Sequence, residues 1–274
     1  MSPERLLHWY PEPYRSERGP EILGVLMDAG GPTGRERRAL ILNGLRMRTG
    51  AYRPSTTWDS WRAALRTAAI MWLTINSVYA LTGLFSPDVD FGPVLAGQIA
   101  LGVAAIVAIL GNRFTVALLA TAVAIALDQL PKTGSWIGGW HLLPLVVVAL
   151  APLAGRGPVR VPRSLNLLAA LAVVPAGLML TSMVVHHAVW ANASRAFWWY
   201  FIAAAVLWAA VDARITLTAG LVLVSDVVDK IWVALTVGPG SGWYWIVLPV
   251  AIAAIMPVLG ITTGTVVARR RARL

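Results

Sequence analysis

Residues 93–130 read PVLAGQIALGVAAIVAILGNRFTVALLATAVAIALDQL. Pro93–Leu110 carries no charge, the tripeptide Gly111-Asn112-Arg113 interrupts, and a second apolar run follows from Phe114. About 20 apolar residues in a helix span a hydrocarbon core of about 30 Å. Each run is therefore close to one bilayer crossing, and a three-residue link makes the pair a helical hairpin. The single arginine in that link fixes a direction, because Arg is retained in cytoplasmic connections.

Working outward, apolar blocks fall at 63–85, 93–110, 114–130, 136–153, 165–187, 196–211, 215–237 and 243–267. The predicted fold class is all-α, a polytopic membrane protein of eight spans behind a small cytoplasmic helical segment. Alternate connections sort by charge. One set is 86–90, Gln129–Ser135, His186–Arg195 and Gly238–Gly242; the other is Gly111–Arg113, the Arg156/Arg160/Arg163 stretch, Asp212–Arg214 and the tail Arg269–Arg273. Every Arg behind the first span except Arg195 falls in the second set, which predicts a plasma (inner) membrane location with both termini cytoplasmic. Trp58, Trp61, Trp136, Trp140, Trp190, Trp198, Trp199, Trp243 and Trp245 lie near block ends, where amphipathic rings settle at the headgroup level.

Composition agrees. The 274 residues are 57% hydrophobic and 13% charged, with mean hydropathy +0.67, too few charges to coat a soluble domain. There is no cysteine, which excludes disulfides, thiolate metal sites and cysteine nucleophiles. Only Lys132 and Lys230 are lysine among 23 basic residues, a bias that accompanies GC-rich coding. The net charge of +10 invites a nucleic-acid reading, but its placement in one set of connections is what membrane topology demands, so no direct nucleic-acid binding is expected. Ile22–Met27 is too short and too closely flanked by charge for a secretory signal.

The spans carry a repeat. Arg113-Phe-Thr115 matches Arg214-Ile-Thr216, and Asp128 and Asp229 stand equally far beyond each Arg. After a four-residue insertion Trp140 matches Trp245, Pro144 matches Pro249, Pro152 matches Pro257 and Gly155 matches Gly260. This predicts a tandem duplication in parallel orientation, with a prefix at 1–61, a first four-span unit at 62–160 and a second at 161–274.

Asp226, Asp229 and Lys230 are the densest ionisable group in an apolar block, and Asp226 and Lys230 share a helix face at four-residue spacing. With Asp128 as counterpart they are the candidate ligand or ion pathway, since intramembrane charges face a bundle interior or a watery cavity. The alternative ends the seventh span near Ser225 and leaves these charges at the interface. His186 and His187 are a weak metal candidate, because adjacent His share no helix face; two interfacial histidines are the simpler reading. The sequence has no phosphate loop, zinc-type spacing or nucleophile elbow, so no catalytic residue and no cofactor is expected.

In the prefix, Ser2-Pro3 opens a short helix that stops before Pro11 and Pro13. A second helix is predicted from Glu17 to Ala29, with Ile22, Val25, Leu26 and Ala29 on one stripe, and Gly30-Gly31-Pro32 ends it. Thr33-Gly-Arg-Glu36 has capping-box spacing for a third, with Leu40, Ile41, Leu45 and Met47 as its apolar face.

The stretch Leu6-Leu7-His8-Trp9-Tyr10-Pro11-Glu12-Pro13-Tyr14-Arg15, with Glu17-Arg18-Gly19-Pro20-Glu21 and Arg37–Arg46 behind it, resembles the opening of HAAS-type cytoplasmic domains and of permease-prefix domains in actinobacterial membrane proteins. It departs from them at Gly19-Pro20 and at Leu42-Asn43. The resemblance covers about 50 residues and implies a regulatory partnership with a soluble cytoplasmic protein bound to residues 1–55. Trp9, Tyr10, Arg15 and Glu21 are the expected contacts, Arg15 and Glu21 also tying the short helices together. Three functions compete: a non-enzymatic sensor or regulatory partner, a transporter or permease-like subunit, and an intramembrane enzyme. The sequence favours the first, because few central positions are polar enough to line a pathway. It leaves open whether the chain forms an oligomer.

Overall fold

The computed structural model describes residues 3–49, 56–84, 92–128, 142–170, 203–209, 211–212, 214–237 and 244–271. Among them the regular elements are all helices. In chain order they are α1 (Pro3–Leu7), α2 (Glu12–Asp28), α3 (Gly34–Arg48), α4 (Thr57–Leu84), α5 (Gly92–Leu110), α6 (Phe114–Asp128), α7 (Leu142–Leu150, continued by a 3-10 turn to Leu153), α8 (163–170), α9 (203–209), α10 (Arg214–Val237) and α11 (Tyr244–Arg271). The fold class is all-α.

The prefix helices are set by local chemistry. Thr33 accepts the Glu36 backbone N–H at 3.3 Å, and the Glu36 carboxylate accepts the Thr33 backbone N–H at 2.7 Å, so the predicted capping box is present. Those bonds, from the Thr33 backbone first and its hydroxyl second, hold the Glu36 carboxyl below the usual carboxylate range. The second helix begins at Glu12, five residues before the predicted start. Pro11 is its N-cap and Pro13 falls in its first turn, where a missing N–H costs nothing. At its other end Gly31 N–H reaches the Leu26 carbonyl and Gly30 N–H the Met27 carbonyl, with Gly30 at φ 74°. That is a Schellman close, and it needs the left-handed residue that Gly supplies.

The same device ends α5. Arg113 N–H bonds the Ala108 carbonyl and Asn112 N–H the Ile109 carbonyl, with Asn112 at φ 57°. Gly-Asn-Arg thus reverses the chain in three residues, and α5 and α6 pack as a hairpin. The four helices α4 to α7 close a ring, each touching the next and α7 touching α4. α10 lies against α4 and packs most extensively on α11. One continuous core runs through both groups, from Met71, Trp72 and Leu73 of α4 to Ile215 and Val222 of α10. Trp72 is buried and donates its indole N–H to the Val222 carbonyl at 3.3 Å.

Glycine sets how close the helices come. A Cβ at Gly220 would stand 2.7 Å from the Ile261 nitrogen, and one at Gly260 would stand 2.8 Å from the Thr216 carbonyl oxygen. At Gly264 a Cβ would meet the Leu217 Cβ at 2.6 Å. Gly260 and Gly264 are one turn apart on α11 and let its backbone touch that of α10. Small residues four apart are how helices associate where no hydrophobic drive operates between them. The sequence displays this G-x-x-x-G spacing at Gly260 and Gly264.

Val107, Leu119, Val148 and Leu207 are more than 60% exposed, while Asn76, Gln98, Thr121, Thr218 and Ser225 are buried. Pro93–Leu110 is the one helix among the described residues long and apolar enough to cross a membrane. Phe114–Leu127, Leu142–Leu153 and Arg214–Ser225 are shorter apolar stretches.

Candidate functional site

Three connections that the charge pattern assigns to one side do meet at one end of the bundle. Arg62, in the first turns of α4, donates to the Gly157 carbonyl. Arg66, one turn on and only 6% exposed, donates to the carbonyls of Ile109 at 3.3 Å and Leu110 at 3.4 Å, the last of α5. The Ile109 carbonyl also accepts the Asn112 N–H, and both carbonyls carry the negative end of the helix dipole, so a guanidinium suits them. Asn112 Oδ1 accepts the Val159 N–H at 3.0 Å. Thus α4, the α5–α6 turn and the 154–162 connection form one plate.

The deepest charges lie beside it. Asp212 is fully buried; one carboxylate oxygen accepts the Ser164 hydroxyl at 2.7 Å, and the other accepts the Arg214 backbone N–H at 3.0 Å and Nε–H at 3.1 Å. Burial opposes ionisation of Asp212, yet the Arg214 charge and these hydrogen bonds outweigh it and hold the carboxyl below the usual range. The cluster ties the start of α8 to the start of α10. In the sequence Asp212 and Arg214 form a charged connection, and Arg214 also matches Arg113 in the repeat. The signal available was a carboxylate two residues before a guanidinium in a three-residue link, but its partner Ser164 is 48 residues away.

At the other end of α4, Ser77 Oγ sits over Gly102 of α5, where a Cβ would run into it. Gln98, 1% exposed, lies one turn along α5 from Gly102. Neither Ser77 Oγ nor Gln98 Nε2 has a hydrogen-bond partner among the described residues. These are buried polar groups left over in an apolar interior, the kind that calls for an explanation.

The sequence-predicted pathway residues are placed only by their backbones. Asp128 is the last residue of α6, and Asp226, Asp229 and Lys230 lie within α10, which runs on unbroken to Val237. The side chains of Asp128, Asp226, Asp229 and Lys230, and His186 and His187 entirely, lie outside the described residues. Among the described residues no three His, Asp or Glu stand together as a metal site.

In the prefix, α1 is the hub: it packs on α2 and on α3. Leu6, Leu7 and Tyr10 are buried, and the Tyr10 ring stacks on Tyr14 at 5.2 Å. Tyr10 is thus a core residue, not an outward contact. Gly44 of α3 crosses the chain at Trp9, where a Cβ would meet backbone at 2.8 Å, and Arg48 donates to the His8 carbonyl. Arg15 pairs with Glu12 of its own helix and joins α2 to the turn after α1, bonding His8 Nδ1 at 3.0 Å. Glu21 does not: it pairs with Arg18 of its own helix at 3.0 Å. Trp9 is 36% exposed, and Val25 and Met27, beside buried Leu26, are 65% and 71% exposed. The predicted stripe on α2 is therefore only partly covered, with Val25 and Ala29 facing outward.

Comparison with protein-family models, with curated proteins and with solved structures finds no match to this chain.

Proposed function

We propose that the chain is an eight-span plasma-membrane protein, both termini cytoplasmic, that acts as a non-enzymatic sensor or regulatory partner through its prefix. Membrane residence is supported by the exposed valines and leucines around buried Asn, Gln and Thr, and by the arginine-bearing connections gathered at one end. The observation behind the partner role is Val25 and Met27, both about two-thirds exposed on a capped helix whose neighbours are already packed. A soluble cytoplasmic protein with an apolar groove fits them, and the HAAS-like opening points the same way. A photo-crosslinker at position 25 or 27 of the full-length protein in cells should capture one soluble protein, and a crosslinker at Glu17 should not. Val25→Glu with Met27→Glu should abolish capture. Equal labelling at all three positions would reject the partner role.

Transport is the second reading, and the unpartnered Ser77 and Gln98 favour it. They supply polar lining in the same half of the bundle as positions 128 and 229. Asp229→Asn should then abolish substrate or ion flux in reconstituted vesicles without loss of folded protein; unchanged flux in both Asp128→Asn and Asp229→Asn removes this reading.

A further inference from the structure

We propose that the basic end of the bundle holds the phosphodiester headgroup of an anionic phospholipid between Trp58, Arg62 and Arg156. The proposal rests on the membrane reading and adds a specific lipid site to it.

Helical spacing creates the first half of the site. Trp58, Arg62 and Arg66 follow at four-residue intervals on one face of α4. The connection after α7 supplies the rest. The Arg156 guanidinium stands 5.0 Å over the Trp58 ring, a cation–π contact, and the next residue, Gly157, accepts from Arg62. Two guanidinium groups and an indole therefore converge from segments nearly 100 residues apart.

The charge at this convergence is not balanced. Neither Arg62 nor Arg156 forms an ion pair among the described residues. Asp59, on the same turn of α4, is engaged as a helix cap by the Thr56 N–H and hydroxyl. Asp212 is engaged by Arg214 and Ser164. Arg62 Nε is buried with no hydrogen-bond partner, although a guanidinium has five N–H donors to place. Arg66 behind it adds a third cation, satisfied by carbonyls alone. An anion with several acceptor oxygens completes such a set, and guanidinium pairs bind phosphate oxygens through two parallel N–H bonds.

The position selects lipid over a free anion. Trp58 is 42% exposed at the start of a long apolar helix, the level at which Trp meets headgroups. The adjoining end of α5 exposes Leu110, Val107 and Val103 at three- and four-residue steps, an apolar track leading away from this end that suits acyl chains.

The test uses full-length protein in vesicles of phosphatidylcholine with or without phosphatidylglycerol, and reads the lipid retained after detergent extraction by native mass spectrometry. Wild type should retain phosphatidylglycerol over phosphatidylcholine, and Arg62→Gln with Arg156→Gln should lower that retention about tenfold or more. Trp58→Leu, a change at an exposed side chain, should lower it with unchanged thermal stability in pure phosphatidylcholine. Arg160→Gln, outside the convergence, should leave it intact. Inorganic phosphate at matched concentration should not displace the lipid. Retention unchanged in both the double variant and Trp58→Leu, or no preference in wild type, overturns the site; displacement by phosphate overturns the lipid as its occupant. Failure of the membrane reading looks different: the protein would be released by alkaline carbonate before any lipid is measured.

Discussion

The prefix and the helical bundle solve the same problem, closing and packing helices, with opposite materials. In the prefix, helices of 5 to 17 residues are held by caps and exposed ion pairs, around a small core of Leu6, Leu7 and Tyr10. In the bundle the outward positions are Val and Leu, while the bonding is internal: threonines return their hydroxyls to carbonyls four residues back, as Thr67, Thr121 and Thr218 do. Arginine shows the contrast best. Arg15 and Arg18 pair with carboxylates at the prefix surface, where such pairs contribute little. Arg66 and Arg214 are buried and bond to carbonyls and to Asp212. A charge that helps one region only slightly holds the other together.

Breaking the buried pair should have the largest effect. Asp212→Ala leaves the Arg214 guanidinium without its carboxylate and should cost roughly 3–5 kcal/mol of bundle stability, read by equilibrium unfolding in mild detergent. The sign of the pH dependence follows. The folded carboxyl titrates below its unfolded value of about 3.9, so its contribution is present above that pH and is lost as pH falls through the folded value. Wild type should therefore show an acid limb below about pH 4 that Asp212→Ala lacks. An identical limb in both would remove Asp212 as its source.

Next comes the α10–α11 crossing. Gly220→Leu forces backbones apart where a Cβ already meets nitrogen at 2.7 Å, with an expected loss of roughly 3 kcal/mol. Gly24→Leu, at an open position of α2, is the control, and comparable losses in the two would deny the close approach.

The prefix gives smaller effects confined to itself. Gly44→Ala collides with the backbone at Trp9 and should cost about 1–3 kcal/mol, seen as faster amide exchange in α1 and α3 with α5 unchanged. Thr33→Ala removes one half of the capping box at about 1 kcal/mol, fraying the first turn of α3. Spread of either effect into α5 would mean that the two regions unfold as one.

The elements most legible in the sequence are those with a local cause. Thr33 and Glu36 are three apart, so their cap is written in four letters, and Gly30 and Asn112 mark chain reversals because they tolerate a left-handed backbone. The start of α2 is less legible, because Pro11 and Pro13 suggest a break, whereas proline is equally at home as N-cap and in the first turn. The site was less legible. Asp212 and Ser164, Arg62 and Gly157, and Arg156 and Trp58 each meet across many tens of residues, and no spacing rule reaches that far.

Apolar blocks, their arginine-marked connections and the helix stops followed from the sequence alone, because hydropathy, charge placement and backbone preference act over a few residues. Tertiary structure alone decided which arginines are buried, which glycines are crossings, and that Glu21 binds its own helix. Those outcomes depend on what another segment offers at a given point: an acceptor for a guanidinium, or a backbone within reach of a missing side chain.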